Sequence, residues 1–129
     1  GGAVSWASRL QPTVALSSTE AEYMATCAAV QETVYMRRLF LDLGFEQKEP
    51  TKVHQDNQGC IALSNSPIYH KRTKHIDIRF HYIRERVESH DVVLVHVPTE
   101  RQLADLLTKP LLRVRLAMLR DMVLGYIQY

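Results

Sequence analysis

No apolar run in this sequence approaches the ~18 residues that a membrane-spanning helix needs. The N-terminus also lacks the basic stretch followed by an apolar stretch that marks a secretion signal. Cysteine is scarce: Cys27 and Cys60 both fall inside apolar helical patterns, so they read as buried reduced thiols and not as a disulfide. Together these absences point to an intracellular, non-secreted protein. Glycine and proline number five each, which excludes collagen-like and low-complexity chains. Charge of one sign is not in excess either. A formal net charge of +2 permits a nucleic-acid partner without arguing for one. What remains is ordinary globular composition, 46% hydrophobic and 23% charged over 129 residues, enough for one domain spanning 1–129.

The pattern along the chain alternates. Residues 3–16, "AVSWASRLQPTVAL", are small and β-compatible, and read as two short strand pieces or one strand interrupted at Pro12. From about Thr19 to Leu43 the period becomes helical, with Ala21, Ala25, Ala28, Met36, Leu39 and Leu43 close to one face and Gly44 as the stop. "TKVHQ", 51–55, predicts a strand and "DNQGCIALSNSP" a brief helix. Ile76, Phe80, Ile83 and Val87 make one stripe on a helix over 74–89. "DVVLVHV", 91–97, is a continuous apolar strand. "PTERQLADLLTKP" and a last helical stretch to Leu124 follow, the latter striped by Leu112, Leu116, Leu119 and Val123. The order β-α-β-α-α-β-α-α implies an α/β layer fold with at least partly parallel strands.

Carboxylates stand at the ends of these elements. "SSTEAEYMA" holds two overlapping capping boxes, Ser17 with Glu20 and Thr19 with Glu22, of which only one can serve. By periodicity alone Glu22 reads as a first-turn acid favoured by the helix dipole. Asp56 follows a strand directly, where sites are built in α/β folds, but it would equally cap the next helix. Asp105 sits within a short apolar helix, where aspartate has poor propensity and an incentive to bond elsewhere. Three such carboxylates suit Mg²⁺, which takes oxygen ligands, and a pair of such ions is a standard device for phosphodiester cleavage. Spacing alone does not establish their convergence.

"AVSW…QPTVALSSTEAEYMA", "QDNQGCIALSNSPIYHKRTKHIDIRFHYIRE" and "QLADLLTKPL", in that order, closely resemble the ribonuclease H domain of copia-type retrotransposon Pol polyproteins. The resemblance runs to about Leu124. It implies a mixed sheet flanked by helices and a site of four carboxylates binding two Mg²⁺ ions, with Mn²⁺ as a substitute. It also implies cleavage of the RNA strand of an RNA–DNA hybrid. Residue by residue, it places catalytic and metal-binding roles at Glu22, Asp56 and Asp105. Glu20 is then left to the helix.

The resemblance also has a gap. The family's first carboxylate lies on a strand upstream of "GGAVSW", so the chain reads as a fragment lacking the first two strands of the fold. It would be completed by an upstream Pol segment or a second copy, with weak or absent activity alone. The family's loop histidine has no secure counterpart; His96 is the nearest. "HKRTKHIDIR" gathers Lys71, Arg72, Lys74, His75 and Arg79, placed by the resemblance near the hybrid's phosphates. A solvated helix start explains the same residues. A second class of function stands beside the nuclease: a catalytically dead nucleic-acid- or protein-binding module.

Overall fold

The computed structural model describes residues 1–65 and 74–128, with the side chains of 63, 65 and 74–77 outside the description. The elements are α1 (Ser18–Asp42), β1 (Thr51–Gln55), α2 (Gln58–Asn65), α3 (Lys74–Glu88), β2 (Val92–His96), a 3₁₀ turn (Thr99–Arg101), α4 (Asp105–Thr108) and α5 (Arg113–Val123). They divide between two compact units: Thr13–His96, and Gly1–Pro12 together with Val97–Tyr129.

In the Thr13–His96 unit, β1 and β2 pair in parallel, in register from Thr51 opposite Val92 to Gln55 opposite His96. A parallel pair requires a crossover, which α2 and α3 supply. The core is Tyr23, Cys27, Val30 and Val34 from α1, Cys60 from α2, Ile83 from α3 and Val92 from β2. Phe80 stacks on Tyr23 with ring centroids 4.0 Å apart. Phe80 and Val87 pack at the margin of this core, as their shared stripe with Ile83 predicts. The architecture is mixed α/β, and the sequence's element order holds from the first helix onward.

Three expectations need correction. Residues 3–16 form no strand. A strand requires a ladder partner and something to pack on. Val4, Trp6, Leu10, Val14 and Leu16 are all exposed, and the sheet among the described residues has only two strands. The buried face of α1 is not the alanine line but Glu20, Tyr23, Met24, Thr26, Cys27, Val30 and Val34; Ala25, Ala28 and Leu39 are exposed. Larger side chains bury more area per position, so they decide the rotation of the helix. The apolar stripe of α5 is buried only at Leu119, while Leu112 and Leu116 are exposed. In β2, likewise, only Val92 is fully buried, because a two-stranded sheet cannot cover the rest of the run.

α1 ends where the sequence says. The Gly44 N–H donates to Leu41 O and the Phe45 N–H to Phe40 O, with Gly44 at φ +84°. This is the paired closure that a left-handed residue after a helix permits. No helix among the described residues is long and apolar enough to cross a membrane.

Candidate functional site

The N-terminus of α1 settles which glutamate caps. Ser17 is the N-cap, its hydroxyl accepting from the Glu20 N–H at 3.1 Å. Glu20 turns back and its Oε2 accepts from the Leu16 N–H at 2.9 Å, so its carboxylate is buried in the box. Thr19 and Glu22 are therefore not the capping pair. Nor is Glu22 a first-turn acid: it lies in the second turn, half-buried, beside the core residue Tyr23.

The same reasoning applies after β1. Asn57, not Asp56, caps α2: its Oδ1 accepts from the Cys60 N–H at 3.1 Å. Asp56 is half-buried at the carboxyl end of the strand. Among the described residues its carboxylate has no hydrogen bond or ion pair, so the competing capping role is excluded.

A buried polar bridge ties the strand end to α1. Gln55 Nε2 donates to Thr26 Oγ1 at 2.6 Å, and the Thr26 hydroxyl donates to the Glu22 carbonyl at 2.8 Å. Gln55 Oε1 accepts from the Asn57 N–H at 3.0 Å, spanning Asp56. The Cys60 thiol lies 3.6 Å from Thr26 Oγ1 and 3.7 Å from Gln55 Nε2. Burial pushes that thiol up, the Thr26 hydrogen bond opposes the rise, and the Glu22 carboxylate adds to it. Asp56 and the Glu22 turn of α1 are thus held within one hydrogen-bonded frame. Sequence reasoning missed Thr26, Gln55 and Asn57. The signal available was the Asn after Asp56, a better placed N-cap for a helix beginning at Gln58.

Asp105 belongs to the other unit and is buried; it is the first residue of α4 and not a mid-helix position as the apolar pattern suggests. Both of its oxygens are engaged: Oδ1 with Lys109 Nζ at 2.8 Å and Oδ2 with Arg115 Nη2 at 2.6 Å. Arg115 also donates to the Thr99 carbonyl and, through Nε at 3.3 Å, to the Glu100 carbonyl. The incentive of a helical aspartate to bond elsewhere is met by these two cations. The i,i+4 spacing to Lys109 was legible in the sequence; the distance to Arg115 was not.

As donors, the carboxylate oxygens of Glu22 and Asp56 fit a hard divalent cation. At Asp105 both oxygens already face protein cations. Among the described residues no three His, Cys, Asp or Glu side chains lie close enough to hold a metal ion. Of the basic cluster, Lys71 and Arg72 lie outside the described residues. Lys74 and His75 open α3 with side chains outside the description. Arg79 is half-buried; its charge lowers the Cys27 thiol against burial, and its Nη1 is enclosed without a partner among the described residues. His96 ends β2, exposed.

No family model matches the chain, and no solved structure matches it. The chain is 43% identical over 123 residues, 95% of its length, to the retrovirus-related Pol polyprotein from transposon TNT 1-94 of Nicotiana tabacum. Over 111 residues it is 42% identical to that from transposon RE2 of Arabidopsis thaliana, and over 110 residues 43% identical to that from transposon RE1 of the same plant. These alignments cover 86% and 85% of the chain. The chain spans 9%, 8% and 8% of the length of the three relatives. Along most of its length it is similar to one short segment of much longer retrotransposon polyproteins.

Proposed function

We propose that this segment is part of a ribonuclease H-like domain of a copia-type retroelement Pol polyprotein. In this reading Glu22, Asp56 and Asp105 are carboxylate ligands of Mg²⁺, and the substrate is the RNA strand of an RNA–DNA hybrid. The observation that carries it is Asp56. It is a half-buried carboxylate at a strand's carboxyl end, released from helix capping by Asn57 and without a partner among the described residues. Uncompensated burial of a charge is costly, and a bound cation would offset it. At Glu22 the support is narrower: it is half-buried, and the cap is already closed by Ser17 and Glu20. Divalent cations, when bound, supply an activated water and neutralise the leaving oxygen. The chain's own share is to hold charge at Asp56 and Glu22 on a frame fixed by Gln55 and Thr26.

A second reading, a binding module without catalysis, is favoured by Asp105, whose oxygens are both taken by Lys109 and Arg115. One assay separates the two: incubation of a labelled RNA–DNA hybrid with the 129-residue chain and Mg²⁺, beside Asp56→Asn. Slow cleavage of the RNA strand, lost in the variant, is the result expected of the nuclease. Retention of the hybrid without cleavage, equal in both proteins, supports the binding module. Neither retention nor cleavage overturns both.

A further inference from the structure

Resting on the reading of Asp56 as a metal ligand, we propose that Gln55 is its positioning residue. Gln55 gives the cap of α2 to Asn57 and thereby keeps the Asp56 carboxylate for a ligand.

The sequence places two competent caps side by side. Aspartate and asparagine rank together as N-caps, and a carboxylate also gains from the positive end of a helix. Local propensity therefore favours Asp56 at least as much as Asn57. The structure nevertheless uses Asn57, whose Oδ1 accepts from the Cys60 N–H, and leaves Asp56 half-buried at the strand's end.

The residue before them breaks the tie. Gln55 Oε1 accepts from the Asn57 N–H at 3.0 Å, which closes a side-chain turn with Asp56 at its corner. A cap at Asp56 would wind Asn57 into the first helical turn and take that N–H away. Gln55 is buried, so an oxygen stranded there is costly. Its amide cannot turn to follow, because Nε2 is held on Thr26 Oγ1 at 2.6 Å. Gly59 completes the arrangement: a Cβ there would lie 3.1 Å from Asn57 Oδ1, so glycine leaves the capping side chain its room.

The same amide sets Asp56 against α1, since the Thr26 hydroxyl carries the chain on to the Glu22 carbonyl. Glu22 supplies the second acid on this side. Its charge adds to burial in raising the Cys60 thiol, which lies against both Thr26 and Gln55.

The test is a stability cycle on the 129-residue chain, with Mn²⁺ binding read beside it. Asp56→Ala should leave the urea midpoint in place, and Asn57→Ala should lower it by roughly 0.5 M, the loss of one cap. In a Gln55→Leu background the roles should exchange, so that Asp56→Ala lowers the midpoint and Asn57→Ala does not. A further arm needs no change at Gln55 and survives if Gln55→Leu fails to fold. With Gln55 present Asp56 cannot take over the cap, so Asp56→Ala should cost nothing more on top of Asn57→Ala. Amides 55–59 of the ¹⁵N-labelled chain should broaden with Mn²⁺, and in Gln55→Leu at roughly fivefold higher concentration, where the cap competes for the carboxylate. Val34→Ala, further along the core face of α1, costs stability and should leave that concentration unchanged. Roles that do not exchange, or an added loss in the double variant, overturn the proposal; so does a Mn²⁺ response that follows stability in Val34→Ala as well. No broadening at 55–59 in wild type overturns the metal reading itself, and the cap assignment is then judged on the urea cycle alone.

Discussion

Removing one hydroxyl, in Thr26→Val, tests the frame beneath Glu22 and Asp56. Thr26, Gln55 and Cys60 are essentially sealed from solvent, at 3%, 3% and 0% exposure. With Thr26 Oγ1 gone, the acceptor left near Gln55 Nε2 among the described residues is the Cys60 sulfur at 3.7 Å, and sulfur accepts weakly. A buried donor left in that state costs about 1–3 kcal/mol. The valine returns up to ~0.8 kcal/mol through an extra buried methyl, and helix propensity barely changes. The expected net loss is about 1–2 kcal/mol, or roughly 1 M in the urea midpoint followed by circular dichroism. Gln55→Leu should cost at least as much, because the Asn57 N–H also loses its 3.0 Å acceptor. The double variant should then be less destabilised than the two losses added, by about 1 kcal/mol, since their shared bond is removed only once. Thr26→Ser keeps the hydroxyl, loses one methyl, and should stay within ~1 kcal/mol of wild type. A Thr26→Val chain as stable as wild type, or strict additivity in the cycle, refutes the bridge.

Two further predictions concern the rest of the unit. His90, two residues past the end of α3, is in the left-handed region at φ +59°, and the helix closes around it through Asp91 N–H to Arg86 O. His90→Gly should therefore raise stability by about 0.5–1 kcal/mol, net of glycine's extra freedom in the unfolded chain, as read from the urea midpoint. The pH profile should fall on both sides. Burial, and then the charge of Lys52, hold His54 below its ordinary value. The unfolded chain thus binds the proton first, and stability present above about pH 6.5 is lost as the pH drops towards the folded value. Burial pushes the Cys27 and Cys60 thiols up. Their contribution is full below about pH 8.5 and is lost as the pH rises through the folded values. Denaturation midpoints at pH 5, 7 and 9.5 check the shape; His54→Gln should flatten the acid limb alone.

Local patterns read from the sequence survived where the interactions are local. The span of α1, its stop at Gly44, β1, and the Ile83 stripe of α3 depend on neighbours within a few residues or on one packed face. What failed was non-local. Residues 3–16 have the composition of a strand, yet a strand exists only against a partner, and composition cannot say whether one is present. The alanine line of α1 has the correct period and the wrong phase: Tyr23, Cys27, Val30 and Val34 outweigh it. At the candidate site, Asp56 and Glu22 were visible as carboxylates near element ends. The frame holding them was not, since Thr26 and Gln55 meet across 29 positions of sequence.

The three carboxylates that resemblance groups together are not physically alike. At two of them the helix cap is made by another residue, Glu20 with Ser17 near Glu22 and Asn57 beside Asp56. The third is fully employed, bridging α4 to α5 through Arg115 and closing a turn with Lys109. A carboxylate with no protein partner among the described residues, as at Asp56, can be spent on a ligand at little loss to the fold. One that anchors a helix can be given to a ligand only at a cost to that anchor. Variants should separate accordingly: Asp56→Asn leaves stability near wild type, whereas Asp105→Asn weakens the packing of α4 and α5 through the lost Arg115 and Lys109 pairs. If Asp105→Asn left the amide protection of α5 unchanged, the anchor reading of that residue would fail, and Asp105 would rank with the other two.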